Sequence, residues 1–168
     1  MKKLLMKILV LFSVIYLLSG CKPSAKEAAK YNDTIVYYQT IAFKSINNFY
    51  AQMENAMKKP LILDTAYEQA AKNIKMAVEK LQEIGDFHGD STLYKSADTL
   101  FNTYMDVLNN QLSEILRLYK IPMEQYTKQD QKQLENAITI SQKRLDMANK
   151  RFIEAQKHFA DTYQLDLR

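Results

Sequence analysis

The single cysteine of this 168-residue chain, Cys21, has the most distinctive chemical setting. It follows two small residues, Ser19 and Gly20, which close the 11-residue apolar run Ile8–Leu18. The residues ahead of that run are basic: Lys2, Lys3 and Lys7. A basic start, a short apolar stretch and small residues before a cleavage point are the parts of an export signal. Because a membrane-spanning helix needs about 20 apolar residues, the run predicts a targeting segment and not a permanent anchor.

The segment Leu18-Ser19-Gly20-Cys21 resembles the lipobox of bacterial lipoproteins, an apolar residue and two small residues followed by cysteine. The resemblance implies that residues 1–20 are a removed signal peptide and that Cys21 becomes the lipidated N-terminus. Such a cysteine carries a diacylglycerol on sulfur and often a third chain, such as palmitate, on nitrogen. Two or more chains attach a protein stably, since each buried CH₂ contributes about 0.8 kcal/mol. The alternative is an ordinary secretory signal with Cys21 a free thiol.

Removal of the signal leaves a nearly neutral chain. The whole sequence has 23 Lys and Arg against 19 Asp and Glu, and loss of the three signal lysines leaves 20 against 19. Such a balance provides neither the basic footprint of nucleic-acid binding nor a polybasic membrane patch. We expect residues 21–23 to be a lipidated tether and residues 24–168 to be one domain held by an apolar core.

Four segments of this domain carry apolar residues at three- and four-residue steps, the spacing of one helix face. The first is predicted to begin with a capping box over Ser24–Glu27 and to end at about Lys58, ahead of Pro60. The second is predicted to begin with a box over Thr65–Glu68 and to end at Gly85, where a left-handed cap suits glycine.

The third segment is predicted to begin near Asp90 or Ser91 and to reach Tyr119, although its apolar stripe drifts along the way. The fourth opens with a looser box over Thr127–Asp130 and keeps a seven-residue repeat, which includes Phe152, to the end of the chain.

Helices joined by short connections bury their stripes against antiparallel neighbours. The sequence therefore predicts an all-α, antiparallel up-down-up-down four-helix bundle with helices of unequal length. Lengths of about 54 Å for the fourth helix and about 32 Å for the second imply a protruding part or a three-helix section. A long coiled-coil dimer is the alternative, but the helix breakers fall where a monomeric bundle needs its turns.

The turn between the second and third helices holds a possible metal-binding cluster, Asp86, His88 and Asp90. Imidazole with carboxylates suits zinc or manganese better than calcium. Helix capping by Gly85 and by Asp90 or Ser91, in an exposed polar turn, accounts for the same residues. We therefore expect a structural turn and no metal or other cofactor.

Residue patterns for catalysis are missing from the sequence. A di-iron bundle needs Glu-x-x-His pairs, and the nearest approach, Glu154 to His158, is one residue too long and lies beside the apolar stripe. Noncovalent haem on His158 is a further alternative, but a single surface histidine is more often solvated. The chain also has no Cys-x-x-Cys-His, no glycine-rich phosphate loop and no serine nucleophile elbow. These observations favour a protein that is not an enzyme.

Tyrosine is in excess, with 11 in the chain. Partly exposed tyrosines can form a partner-binding surface, whereas wide bundles also place tyrosine at core edges with its hydroxyl in water.

Two segments, Tyr31–Val36 with Gln39 and Gly89–Ala97, resemble an uncharacterised family of helical bacterial surface lipoproteins. That resemblance implies exposure on the cell envelope and supplies no active residues.

Together these features predict a lipid-anchored envelope protein with a structural or partner-binding role. Its partners would be the membrane, through the lipid, and an envelope protein, with no nucleic acid. The alternative is a small-ligand or metal-binding envelope protein that uses the turn 85–90 or an inter-helix pocket. Lys22 replaces the aspartate that would resemble an inner-membrane retention signal, so the outer membrane is favoured, with the domain facing the periplasm or the surface.

Overall fold

The computed structural model describes residues 23–56 and 61–167. Their helices are α1 (Ala25–Ala56), α2 (Leu61–Ile84), α3 (Thr92–Val107), α4 (Ser113–Tyr119) and α5 (Lys128–Tyr163). A π-helical turn, Leu108–Leu112, joins α3 to α4 without a break, so that the two form one long helix. Within the described ranges there is no strand, only one isolated bridge. The predicted lipidation site Cys21 and the predicted end of the first helix at about Lys58 lie outside the described residues.

The helices form the antiparallel up-down-up-down bundle predicted from the sequence. Each neighbour runs opposite to the last, and the closest packing is between α1 and α2 and between α3 and α5. Lengths are unequal, with 32 residues in α1, 24 in α2 and 36 in α5. Within the described ranges, none of the helices combines the length and hydropathy of a membrane-spanning segment.

Helix ends that depend on local hydrogen bonds lie where the sequence predicts them. The Ser24 amide donates to the Glu27 carboxylate at 2.8 Å, and the Glu27 amide donates back to the Ser24 hydroxyl at 3.2 Å. The same box closes at Thr127 and Asp130, with distances of 2.9 and 3.2 Å. Gly85 has a φ of +66°, the left-handed conformation expected of a glycine cap.

The predicted capping box at Thr65 is wrong, because α2 begins four residues earlier, at Leu61. Thr65 lies inside the helix, where its hydroxyl donates to the Leu61 carbonyl at 3.2 Å. Leu63 is fully buried, so the apolar residues ahead of Thr65 extend the core-facing stripe by a turn. Burial of that turn outweighs the local capping preference.

The drift of the third stripe has its origin in the π-helical turn. A π turn adds one residue to the helical repeat and changes the direction of the side chains that follow. Leu108 and Leu112 both face the core through it, and Ile115 is fully buried beyond it. The Ser113 hydroxyl donates to the Asn109 carbonyl at 2.6 Å, which satisfies a carbonyl of the widened turn.

The heptad register predicted for the last helix is confirmed at Phe152, which is only 3% exposed. We expect Phe152→Ala to lower the free energy of unfolding by about 3–5 kcal/mol, since it removes a ring from a packed core. Chemical denaturation followed by circular dichroism measures this. The neighbouring Ile153 is 47% exposed, so Ile153→Ala is the matched control and should cost about 0.5 kcal/mol or less. Equal costs for both variants would contradict this register.

Candidate functional site

The turn that carries Asp86, His88 and Asp90 is a tight reversal between α2 and α3. Phe87 and Asp90 exchange backbone hydrogen bonds of 3.0 and 2.9 Å, with His88 and Gly89 at the two central positions. Both central residues have positive φ, +52° for His88 and +89° for Gly89. Two successive left-handed residues are the signature of the type I′ turn, so His88 occupies a position that the backbone geometry restricts.

Both carboxylates of the turn have structural partners. Asp86 accepts a hydrogen bond from the Gly89 amide at 3.4 Å, and Asp90 accepts one from the Thr92 amide at 2.9 Å. Asp90 also accepts from the Tyr163 hydroxyl at 3.2 Å. Burial acts to raise the pKa of Asp90, but the hydrogen bonds from Thr92 and Tyr163 outweigh it and hold the pKa below its usual range. Within residues 23–56 and 61–167, no three His, Cys, Asp or Glu side chains form a group that could hold a metal.

Phe87 is the residue of this turn that sequence reasoning missed. In a turn predicted to be polar, its side chain is only 5% exposed. It lies among three rings, with centroid distances of 5.0 Å to Tyr31, 5.4 Å to Phe159 and 5.0 Å to Tyr163. The unequal helix lengths predicted a protruding part or a three-helix section; beyond the end of α2, the ring of Phe87 packs against α1 and α5.

Tyr31 connects this aromatic cluster to the end of α2. Its hydroxyl donates to the Gly85 carbonyl at 2.8 Å. Burial, with the nearby negative charges of Asp86 and Asp90, raises the pKa of Tyr31 well above its usual range. The phenol therefore remains protonated and keeps this hydrogen bond.

A row of polar pairs bridges α1 and α5 along the seam between them. Successive pairs are 7 and 11 residues apart on α1 and 7 and 8 residues apart on α5, about two or three helical turns, so each helix returns nearly the same face to the seam. The pairs are Asn32 with Gln156 at 3.1 Å, Gln39 with Asn149 at 3.2 Å, and Tyr50 with Ser141 at 2.6 Å. No buried side-chain nitrogen or oxygen in the described part of the chain lacks a hydrogen-bond partner.

Tyr104 extends the middle pair into the core. Its side chain is fully buried, and its hydroxyl donates to the Asn149 side-chain oxygen at 2.6 Å. Desolvation raises the pKa of Tyr104 to about 12, against the opposing hydrogen bonds with Gln39 and Asn149. The sequence places Tyr104 on the apolar stripe, but its link to α1 and α5 depends on residues far away in the chain.

A cavity of about 540 Å³ opens at the other end of the bundle, where α1 and α4 end and α5 begins. Its apolar walls are Ala56, Leu118, Ile121, Pro122, Met123 and Leu134. Tyr119, Lys120 and Tyr126 contribute polar atoms. This volume lies within the range of about 300–1,000 Å³ that is usual for small-molecule sites.

The tyrosines are distributed mainly as core-edge residues. Tyr37 alone among those described is largely exposed, at 59%. Tyr38, Tyr67 and Tyr94 are half-buried, so their rings pack against the core. A continuous row of exposed tyrosines is therefore absent from the described surface.

Asp86, His88 and Asp90 are neighbours along one turn. Glu154 and His158, the nearest approach to a di-iron pair, are exposed on α5. Neither the aromatic cluster around Phe87 nor the end cavity follows from local spacing.

Comparison with protein-family models, curated proteins and solved structures finds no match.

We expect Tyr104→Phe to lower the free energy of unfolding by about 1 kcal/mol at neutral pH, the usual net value of a hydrogen bond. The pKa of Tyr104 is about 12 in the folded protein against 10 for an unperturbed phenol. Its stabilising contribution is complete below pH 10 and is lost as the pH rises to about 12, because only the unfolded chain releases the proton in that range. The difference between parent and variant should therefore narrow above pH 10.

Chemical denaturation at neutral pH and again above pH 10 measures the difference in unfolding free energy between parent and variant, with Tyr37→Phe as the matched control. Because the Tyr37 ring is 59% exposed, the control should remain within about 0.5 kcal/mol of the parent. If the difference in unfolding free energy between the parent and Tyr104→Phe grows at alkaline pH, the raised pKa of Tyr104 is contradicted.

The turn at Asp86, His88 and Asp90 is expected to be structural. Zinc and manganese should therefore leave the melting temperature of the protein unchanged. A bound metal would add about 2.7 kcal/mol of stability at one hundred times its Kd, which thermal denaturation detects readily. A rise in melting temperature that disappears in His88→Ala would show that the turn is a metal site.

Proposed function

We propose that the chain is a lipid-anchored cell-envelope protein with a non-enzymatic, structural or partner-binding role, and that the outer membrane is its location. The observation that carries the proposal is the segment Leu18-Ser19-Gly20-Cys21 after a basic and apolar stretch. An acyl-modified Cys21 would hold the domain at the membrane by lipid alone.

The position of the first helix supports a short tether. The cap of α1 is Ser24, three residues after Cys21. Three residues span at most about 10 Å of extended chain. Anchored in this way, the domain would rest close to the membrane with the aromatic cluster around Phe87 at its near end.

The far end of the bundle is then the part presented to other molecules. At 32 residues, α1 is about 48 Å long, and the end cavity lies beside its last residue, Ala56. A structural or partner-binding role fits this arrangement. The assigned partners of Asp86 and Asp90 support a structural use of the turn and not a catalytic one.

A second candidate function is the binding of a small ligand between helices. The observation that favours it is the apolar cavity of about 540 Å³ at the end of the bundle. Lipid anchoring and ligand binding are compatible, because Cys21 and the cavity belong to opposite ends of α1.

Acylation of Cys21 is the test of the anchor. Mass spectrometry of the mature N-terminus should show Cys21 as the first residue with acyl chains attached, and the protein should fractionate with membranes. Cys21→Ala should move it to the soluble fraction or leave the precursor uncleaved, whereas Ser24→Ala should remain acylated. An unmodified Cys21, or cleavage at another residue, would reject the proposal.

A further inference from the structure

We propose that the cavity at the end of the bundle binds an uncharged amphiphile, an apolar molecule with an oxygen atom that accepts a hydrogen bond. The inference rests on the second candidate function, ligand binding between helices, and is independent of the lipid anchor. The cavity has its own walls, polar groups and charges, and each of these restricts the class of ligand.

The walls favour an apolar body. Leu118 and Ala56 are buried at about 1% exposure and form the floor, while Leu134 is half-buried on α5. Met123 is 85% exposed at the rim, in the connection between α4 and α5. Removal of such apolar surface from water is the main source of affinity for small molecules in clefts of this size.

Two tyrosine hydroxyls supply the polar part of the site. Tyr119 and Tyr126 both line the cavity and are half-buried. Burial raises the pKa of each phenol, so both remain protonated and able to donate. Within the described ranges neither hydroxyl has a hydrogen-bond partner, and an acceptor oxygen on a ligand would provide one.

The charges around the cavity disfavour an anionic ligand. Lys120, the one cation among the described lining residues, already forms an ion pair with Asp64 at 2.6 Å. Burial first, and then the negative charges of Asp130 and Glu135, raise the pKa of Tyr126, so these two carboxylates act on its hydroxyl. A carboxylate or phosphate head group would meet repulsion and an unpaired burial cost there, whereas a hydroxyl or carbonyl would not.

Photolabelling with a matched pair of probes tests the inference: a medium-chain alcohol that carries a diazirine, and the corresponding carboxylate. The full chain, in lipid nanodiscs, is irradiated with each probe, and adducts are assigned by peptide mass spectrometry. The alcohol should label the segment around Met123 and Tyr126 saturably, and excess unlabelled alcohol should displace it. The carboxylate should label this segment roughly tenfold less, the effect of about 1.4 kcal/mol in binding.

Two exposed apolar residues at this end of the bundle provide a matched pair of variants. Met123 is 85% exposed and lines the cavity, whereas Leu61 is 78% exposed and does not. Met123→Asp should weaken labelling by the alcohol roughly tenfold, since it places a charge at the rim. Leu61→Asp should leave labelling unchanged. Because both side chains are exposed, neither variant is expected to unfold the protein.

Several outcomes would overturn the inference. These are equal labelling by alcohol and carboxylate, equal loss in the two Asp variants, or labelling that does not saturate. Labelling of Cys21→Ala equal to that of the parent supports the inference even if Cys21 proves unmodified, which separates its failure from that of the anchor. Labelling lost in Cys21→Ala would contradict it, because the cavity lies at the far end of α1.

Discussion

The bundle depends on the mutual burial of four apolar stripes, because the chain has no disulfide that could hold its helices together. Each stripe can leave water only when the other helices cover it, so the extent of this shared core can override a local capping signal at a helix end. The start of α2 at Leu61 follows from that constraint, since Leu63 is buried and brings the preceding turn into the helix. Local capping by Thr65 is the weaker effect.

Hydrophobic burial does not specify how far one helix slides along another, and the polar seam between α1 and α5 supplies that information. Pairs such as Gln39 with Asn149 satisfy each other only in one register, because a shift would leave half-buried amides without partners. The buried hydroxyl of Tyr104 adds a third helix to the same restraint. These groups contribute specificity beyond their modest stabilisation.

The two ends of the bundle differ because the helices have different lengths. At one end, α2 stops early and Phe87 fills the space that it leaves beneath α1 and α5. At the other end the connection after α4 leaves an apolar cavity with two tyrosine hydroxyls. If Cys21 is the anchor, the filled end faces the membrane and the open end faces away, where a ligand or partner has access.

By itself, the sequence determined the all-α class, the antiparallel order, and the helix ends at Ser24, Gly85 and Thr127. Their hydrogen bonds connect residues at most four positions apart, so local spacing contains them. The heptad position of Phe152 was also readable, because periodicity defines a buried face. Only the tertiary structure decided the burial of Phe87, the seam and the cavity. Each of these depends on side chains from different helices, such as Asn32 and Gln156, 124 positions apart, and no local pattern encodes which distant residues will meet.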